Sequence, residues 1–442
     1  MRWPTLLLAL GLVLLASAPA VAASRGSREA ELRETLEALL ALERDDGGWT
    51  YEQGEGVRPW PSTMPLQIAE RIAGPFGFAT WDTVVMRSPG TPAAGLLFLD
   101  AYDLTEREEY LEAAIRTGDI VLAAQLGSGG WFSEAPMHGD AMASWFAVPI
   151  RRSSLDDDVT TGAVRLLLEL WKRTKERRYW YAATQGLELL KAAQLSSGAW
   201  PLVWRPMWKQ TLIPTFEDSA TLNDGGTSLE IQTFLVGGAV LERADFTQVA
   251  IRGGDWLIQA QRAAPHAGWA QQYDDVGNPR HARRFEPPAL ATWESRYAME
   301  ALLALAATTG EQKYCAPLTK AVTWLQSAAI RDGCWARFYD IESGEPLYVN
   351  DDGRHVASPA EAHRPYDWEG DFGVSHVLRR LGAKRSGRSA LPIRPVAGDP
   401  ILCRDPEDPP FDARETGDAR LLVAHAARVL GTLQPSVPNP CP

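Results

Sequence analysis

Two acidic turns stand about one repeat apart in this chain. Asp156-Asp157-Asp158 lies in SSLDDDVTTGAVRLL and Asn223-Asp224 in TLNDGGTSLEIQ, which puts Asp156 and Asp224 68 residues apart. Each turn directly precedes an apolar helical pattern. An Asp oxygen there can accept the orphan N–H groups of a first turn, and capping alone accounts for one carboxylate per helix. Three consecutive Asp exceed that need. Carboxylates from neighbouring loops also suit a hard cation such as Ca²⁺, which takes oxygen ligands in irregular geometry. Asp156 and Asp224 are therefore read as metal ligands. Asp224 is expected to cap its helix as well, since a carboxylate has more lone pairs than one cap uses.

Basic residues supply the complementary chemistry. Arg283 and Arg284 stand in HARRFEPPALATWES, just before a rigid Pro-Pro loop. Guanidinium grips carboxylate in bidentate fashion, and the plainer alternative is a solvated basic pair. Arg337 sits between Trp335 and Phe338, either directed at a site or paired with Asp340. Trp200, Trp204 and Trp208 in GAWPLVWRPMW either plug gaps between helices or offer aromatic faces to sugar rings. The chain contains no nucleophile elbow, phosphate-binding Gly loop, HExxH or CxxC. Its seven His are scattered without ligand spacing, so a carboxylate-bound metal is favoured over zinc.

The elements that must position these residues form a repeat. Five segments end in a small-residue turn and Trp, at Trp49, Trp131, Trp200, Trp269 and Trp335, in steps of 82, 69, 69 and 66 residues. Two helical patterns lie between successive Trp, as in TTGAVRLLLELWKRTKE followed by YWYAATQGLELLKAAQ. Most of the turns are Gly-rich and read as left-handed C-caps. The fold class is all-α: an α/α toroid of repeated helical hairpins with short extended segments in the loops. Loops at one end of such a barrel converge on a central cleft, which would bring the acidic turns side by side.

Composition bounds the rest. The 442 residues are 45% hydrophobic, enough for a large core. Residues 1–23 read as a signal peptide, which implies a secreted or periplasmic protein with no membrane span. Residues 24–382 hold the toroid, and 383–442 read as a Pro-rich linker and C-terminal tail with a short helix. A net charge of −12 argues against nucleic acid as a partner, and it would repel a polyanion unless Arg residues or bound cations reverse the local field. A monomer is expected. Among four Cys, Cys315–Cys334 and Cys403–Cys441 are the local pairings.

Read in order, several segments resemble the pectate lyases of polysaccharide lyase family 10. They are Asp156 to Thr161, SSGAWPLVWRP, TLNDGG, Trp269 to Asp274, Ala282 to Glu286 with Glu294-Ser295, Trp335 to Asp340, and Asp352-Gly353. The resemblance spans roughly residues 85 to 375. It implies an α/α toroid and Ca²⁺-assisted β-elimination on an anionic polysaccharide, polygalacturonate or a related uronan. Carried over by position, Asp156 and Asp224 look like the Ca²⁺ pair and Arg283 like the residue that takes the C5 proton. Arg337 looks like a binder of the substrate carboxylate; outside that carry-over, Arg284, Trp200 and Tyr273 are expected to complete the substrate-binding set. Departures are the extra Asp157 and Asp158, Gly225 where many members have Asp, Asp351 where a basic residue is expected, and Tyr273 in place of His. Three rivals remain: a uronan C5-epimerase using Tyr273 or Tyr339 as second acid, a uronan-binding protein, and a cyclase-like toroid suggested by two Gln-x-x-x-Gly-x-Trp runs.

Overall fold

Helices of two kinds alternate along the chain. In Val159–Thr174 every residue from Val159 to Leu170 is buried, and in Thr292–Thr309 every residue from Thr292 to Ala306 is buried. Helices enclosed on all sides belong inside a larger assembly. The helix after each of these, such as Arg177–Ala193, buries one face and exposes the other. The structure, a computed structural model, describes residues 25–44, 48–49, 83–136, 153–205, 215–331, 333–364, 366–382, 418–433 and 439–441. The expected signal peptide, Trp208, Cys403 and most of the Pro-rich stretch lie outside these residues.

Eleven α-helices are described: α1 Arg25–Ala41, α2 Thr91–Thr105, α3 Glu108–Ala123, α4 Val159–Thr174, α5 Arg177–Ala193, α6 Ser228–Val240, α7 Ala244–Ala260, α8 Thr292–Thr309, α9 Cys315–Ala328, α10 Val374–Gly382 and α11 Ala419–Leu433. The inner helices α2, α4, α6 and α8 pack side by side in that order, and α10 continues beside α8. The outer helices α3, α5, α7 and α9 each return against their inner partner. This is the expected α/α toroid.

The repeat turn is a stitch. The indole Nε1 of Trp49, Trp131, Trp200, Trp269 and Trp335 donates to the carbonyl of Leu39, Val121, Leu190, Leu257 and Leu325 respectively, at 2.7–2.9 Å. The backbone N–H of the first four donates to a hydroxyl near the start of the next inner helix: Thr91, Thr160, Thr227 and Ser295. Gln125 and Gln194 of the Gln-x-x-x-Gly-x-Trp runs bond both their own turn and the next outer helix. That pattern is therefore scaffold, with no catalytic content of its own. Gly186 and Gly254 let the helices approach closely, because a Cβ there would lie 2.4 Å from Val164 Cγ2 and 2.3 Å from Leu305 Cδ1.

Short antiparallel strands extend the turns. They include β1 Thr83–Val85 with β2 Glu134–Pro136, β3 Ser153–Ser154 with β4 Val203–Trp204, and a four-stranded sheet. That sheet runs β5 Leu290–Ala291, β7 Phe338–Tyr339, β8 Pro346–Val349 and β9 His355–Val356, over a satellite core of Phe338, Leu347, Val349 and Trp368. Between β7 and β6 (Trp335–Ala336) stands Arg337, and β6 pairs with β10 Glu369–Gly370.

Two expectations about the C-terminal region are corrected. The last helix is no appended tail: α11 packs against α1 and α2, and Leu422, Val423, Ala426, Val429 and Leu430 join the main core. Its apolar face needs a partner, and the N-terminal helix supplies one. The local Cys pairings fail too. Cys315 at the start of α9 bonds Cys441, 126 residues away, and Cys334 is also in a disulfide.

Candidate active site

The inner-helix N-termini bring the acidic turns together. Asp157, Asp158, Asp224 and Thr227 all adopt left-handed backbone, with φ of 53°, 57°, 47° and 60°. Non-Gly residues in that region cost energy and cluster at functional sites. The geometry sends consecutive carboxylates different ways. Asp158 turns inward, accepting from the Thr161 hydroxyl at 2.6 Å and pairing with buried Arg165. Asp156, Asp157 and Asp224 each present a carboxylate oxygen, and the three lie within 4.8 Å of one another. One ion with oxygen ligands at about 2.3–2.6 Å fits between atoms so spaced.

The capping expectation is corrected at the same turns. The residues at the cap positions of α4 and α6 are Asp158 and Thr227, and neither side chain caps its helix. Asp224 instead accepts from its neighbour: Asn223 Nδ2 donates to Asp224 Oδ2 at 2.6 Å and to Asp156 Oδ1 at 3.0 Å. Buried Gln271 fixes that amide by donating to Asn223 Oδ1 at 2.6 Å. The Asn-Asp pair is thus a bridge between two repeats.

Burial raises the Asp156 carboxyl well above its ordinary range, and the charges of Asp157 and Asp224 add to it. Asp157 is pushed to about 7 by burial and by Asp224, with Arg87 and Arg283 opposing. Crowded carboxylates that hold protons at neutral pH are poised for a cation to replace them.

Two Arg flank the cluster. Arg283 is partly exposed, and its Nη1 lies 2.9 Å from buried Glu286 Oε1, which also accepts from the Tyr366 hydroxyl at 3.0 Å. Burial alone would lower the Arg283 pKa, but Glu286, Asp156 and Asp224 outweigh it and raise it. Arg337 is buried, with its guanidinium 4.0 Å from the Tyr366 ring centroid and 5.7 Å from that of Trp293. Its Nη2 is 4.0 Å from Asp224 Oδ1, and Nε has no partner. Asp340 is occupied with its own turn, accepting from Glu342 and Ser343, so the alternative Arg337–Asp340 pair does not form. Glu294, in the first turn of α8, is wholly buried with both oxygens unpartnered, and burial carries its pKa to about 7.

Other expected residues fall elsewhere. Trp200 and Tyr273 are wholly buried in the core, the indole bonded to Leu190 O and the phenol donating to Ala260 O at 3.2 Å, so neither presents a face to a cleft. That corrects their place in the substrate-binding set. Arg284 is exposed beside the β8–β9 turn, where a Cβ on Gly353 would meet its Cγ at 2.9 Å. Asp351 is exposed and bonded to His363. Asp157 was visible in the acidic run as added charge only, and Glu286 as a carboxylate three residues after Arg283. Gln271 and Glu294 carried no role, and Tyr366 gave no sequence signal, because it arrives from 80 residues beyond Glu286.

Comparison with known proteins fits this geometry. The pectic acid lyase family matches residues 133–334, which contain both acidic turns and Arg283. A family 10 polysaccharide lyase from Cellvibrio cellulosa has the same fold, with a TM-score of 0.50 and 20% identity over 66% of this chain and 97% of that one. That structure is of a mutant in complex with trigalacturonic acid. The unmutated lyase aligns at 21% identity with the same score, over 66% of this chain and 96% of its own. A glycoside hydrolase family 76 α-mannanase from Bacteroides thetaiotaomicron shares the fold at 10% identity and a TM-score of 0.50, over 92% of this chain and 98% of that one. No curated protein matches the chain. The resemblance read from the sequence holds, and over residues 133–334 the chain is pectate lyase-like, built on the α/α toroid that family 10 polysaccharide lyases share.

Proposed function

We propose that this chain is an exported polysaccharide lyase that cleaves polygalacturonate or a related uronan by β-elimination, with Ca²⁺ held by Asp156, Asp157 and Asp224. The observation that carries the proposal is the convergence of three carboxylates and two guanidiniums at one end of the toroid. Ca²⁺ bound there would screen the sugar carboxylate and stabilise negative charge building beside it. The protein's own residues do the rest. Arg337, desolvated and fixed between rings, binds a substrate carboxylate through donors not otherwise used. Glu286, held by Tyr366, orients Arg283 toward the C5 proton. The carboxylates around Arg283 hold it protonated, so it stabilises charge while water takes the proton, and it serves as base only when those carboxylates are compensated. Asn223 and Gln271 keep the two acidic turns in register.

One observation supports a second reading, a uronan-binding protein: Asp351 stands exposed where the family has a basic residue, removing a carboxylate contact. The epimerase reading loses its second acid, since Tyr273 and Tyr339 are both buried with hydroxyls bonded to backbone. Ultraviolet absorbance of unsaturated uronide separates the two surviving readings. Polygalacturonate with Ca²⁺ is expected to give a rise that a chelator stops and that Arg283→Ala abolishes. Binding without any rise, on polygalacturonate and on other uronans, would leave only the binding protein.

A further inference from the structure

The described Trp residues divide unevenly between core and surface. Nine of twelve are buried. Of the three that keep exposed surface, Trp171 has Lys175 Nζ 5.4 Å over its ring. The other two, Trp180 and Trp204, line a single groove of about 530 Å³. Tyr181 lines it too, 64% exposed, with its ring centroid 6.0 Å from that of Trp180. The groove follows the outward face of α5 from Trp180 to Ala192 and meets the Gly127–Gly129 turn. The twelve helical steps from Trp180 to Ala192 rise about 18 Å, room for several sugar rings.

Its polar groups are of one kind. Gln185 offers an exposed amide, and Thr184, whose hydroxyl already donates to Trp180 O at 2.7 Å, keeps an acceptor. The one ionisable acid or base among the lining residues, Glu188, is held by Arg243 at 2.9 Å. Aromatic faces with a rim of amide and hydroxyl match a sugar ring, which has an apolar C–H face and a hydroxyl edge. A polyuronate would need cationic partners, and among the described residues that line the groove there is none.

We propose that this groove binds an uncharged saccharide chain, independently of the carboxylate cluster. Trp204 pairs with Ser153 across β4 and β3, and β3 runs into Asp156 three residues later. A neutral chain held in the groove would lie beside the strand that carries the cluster and would tether the protein to a polymer mixing neutral and acidic segments.

Native affinity electrophoresis in chelator tests this, using galactan, galactomannan, hydroxyethylcellulose and polygalacturonate as separate probes. At least one neutral polymer should retard the protein and polygalacturonate should not. Tyr181→Ala, at an exposed position that folding does not need, should weaken that retention several-fold. Trp180→Ala with Tyr181→Ala should weaken it at least about tenfold, with an unchanged melting temperature and unchanged action on polygalacturonate. Absence of retardation by every neutral probe would overturn the proposal. So would retention that survives the double substitution, or polygalacturonate retention that the double substitution removes.

Discussion

Cation binding at the acidic cluster should displace protons, and the size of the effect follows from Asp157. A carboxylate ligand must be deprotonated to coordinate. With a pKa of about 7, Asp157 is mostly protonated at pH 6 and mostly ionised at pH 8. The apparent dissociation constant for Ca²⁺ carries the factor for that protonation, so it should fall about tenfold between pH 6 and pH 8 from Asp157 alone. Asp156, raised further by burial and its two neighbours, adds in the same direction. Calorimetric titration with Ca²⁺ at pH 6, 7 and 8, in two buffers of different ionisation enthalpy, reads both the affinity and the protons released. Asp157→Asn should flatten the profile and weaken binding at pH 8. The same raised pKa makes the folded chain bind more protons than the unfolded one between about pH 4 and 7. Without cation, stability should therefore fall as pH rises through that window, and Ca²⁺ should restore it. An affinity unchanged from pH 6 to 8 in the unsubstituted protein would refute the reasoning.

Three further outcomes are expected. Asp224→Ala should raise the Ca²⁺ concentration for half-maximal activity at least about tenfold while leaving the melting temperature nearly unchanged, since Asp224 caps nothing and is held only by Asn223 and a 4.0 Å pair with Arg337; equal losses of both would remove its ligand role. Glu230→Gln should stabilise the fold. Glu230 is wholly buried with both oxygens unpartnered, and burial lifts its pKa to about 8. Stability is thus lost as pH rises toward that value, by up to about 3 kcal/mol at pH 7, and thermal melts of the two proteins should coincide near pH 4.5 and diverge by pH 8. Replacing Cys315 and Cys441 together by Ser should cost about 2–4 kcal/mol in denaturant unfolding without altering the Ca²⁺ dependence of activity.

The architecture was legible because the repeat is written in chemistry that cannot vary freely. Each small-residue turn must leave an outer helix, and each Trp must reach a backbone carbonyl ten or twelve residues back, so period and class could be read together. The acidic turns were legible for a related reason, since residues one repeat apart share an end of the barrel. What failed was the assignment of side chains to purposes. Capping was expected of Asp224, but Thr227 holds the cap position of α6, and the Asp224 carboxylate accepts from Asn223 instead. Trp200 and Tyr273 are aromatic in either role, and only packing shows that their polar atoms are spent on backbone. The α11 helix read as a tail because a polar stretch precedes it, although its apolar face demanded a partner that the sequence places nearly 400 residues earlier.

The electrostatics of the cluster tie its parts into one argument. Asp156 and Asp224 raise the pKa of Arg283, while Arg283 lowers those of Asp156 and Asp157. The carboxylates thus keep Arg283 charged, while burial and their mutual repulsion, against the pull of Arg283, hold protons on Asp156 and Asp157. A divalent cation held by Asp156, Asp157 and Asp224 would oppose both pressures. It would favour the ionised acids, offset the part of the field on Arg283 that comes from Asp156 and Asp224 while Glu286 stays paired with it, and reduce the local negative charge in a chain of charge −12. Under the proposed function, a substrate carboxylate would then meet Arg337 beside a less negative cluster, and the C5 proton would face Arg283, still paired with Glu286. Affinity for a polyanion and competence to move its proton would thus be switched on by the same event. On this reasoning, Asp157→Asn, which removes negative charge as well as a cation ligand, should raise substrate affinity in chelator at pH 8, where Asp157 is mostly ionised, yet leave turnover Ca²⁺-dependent. If turnover became Ca²⁺-independent instead, charge reversal alone would be the cation's whole contribution.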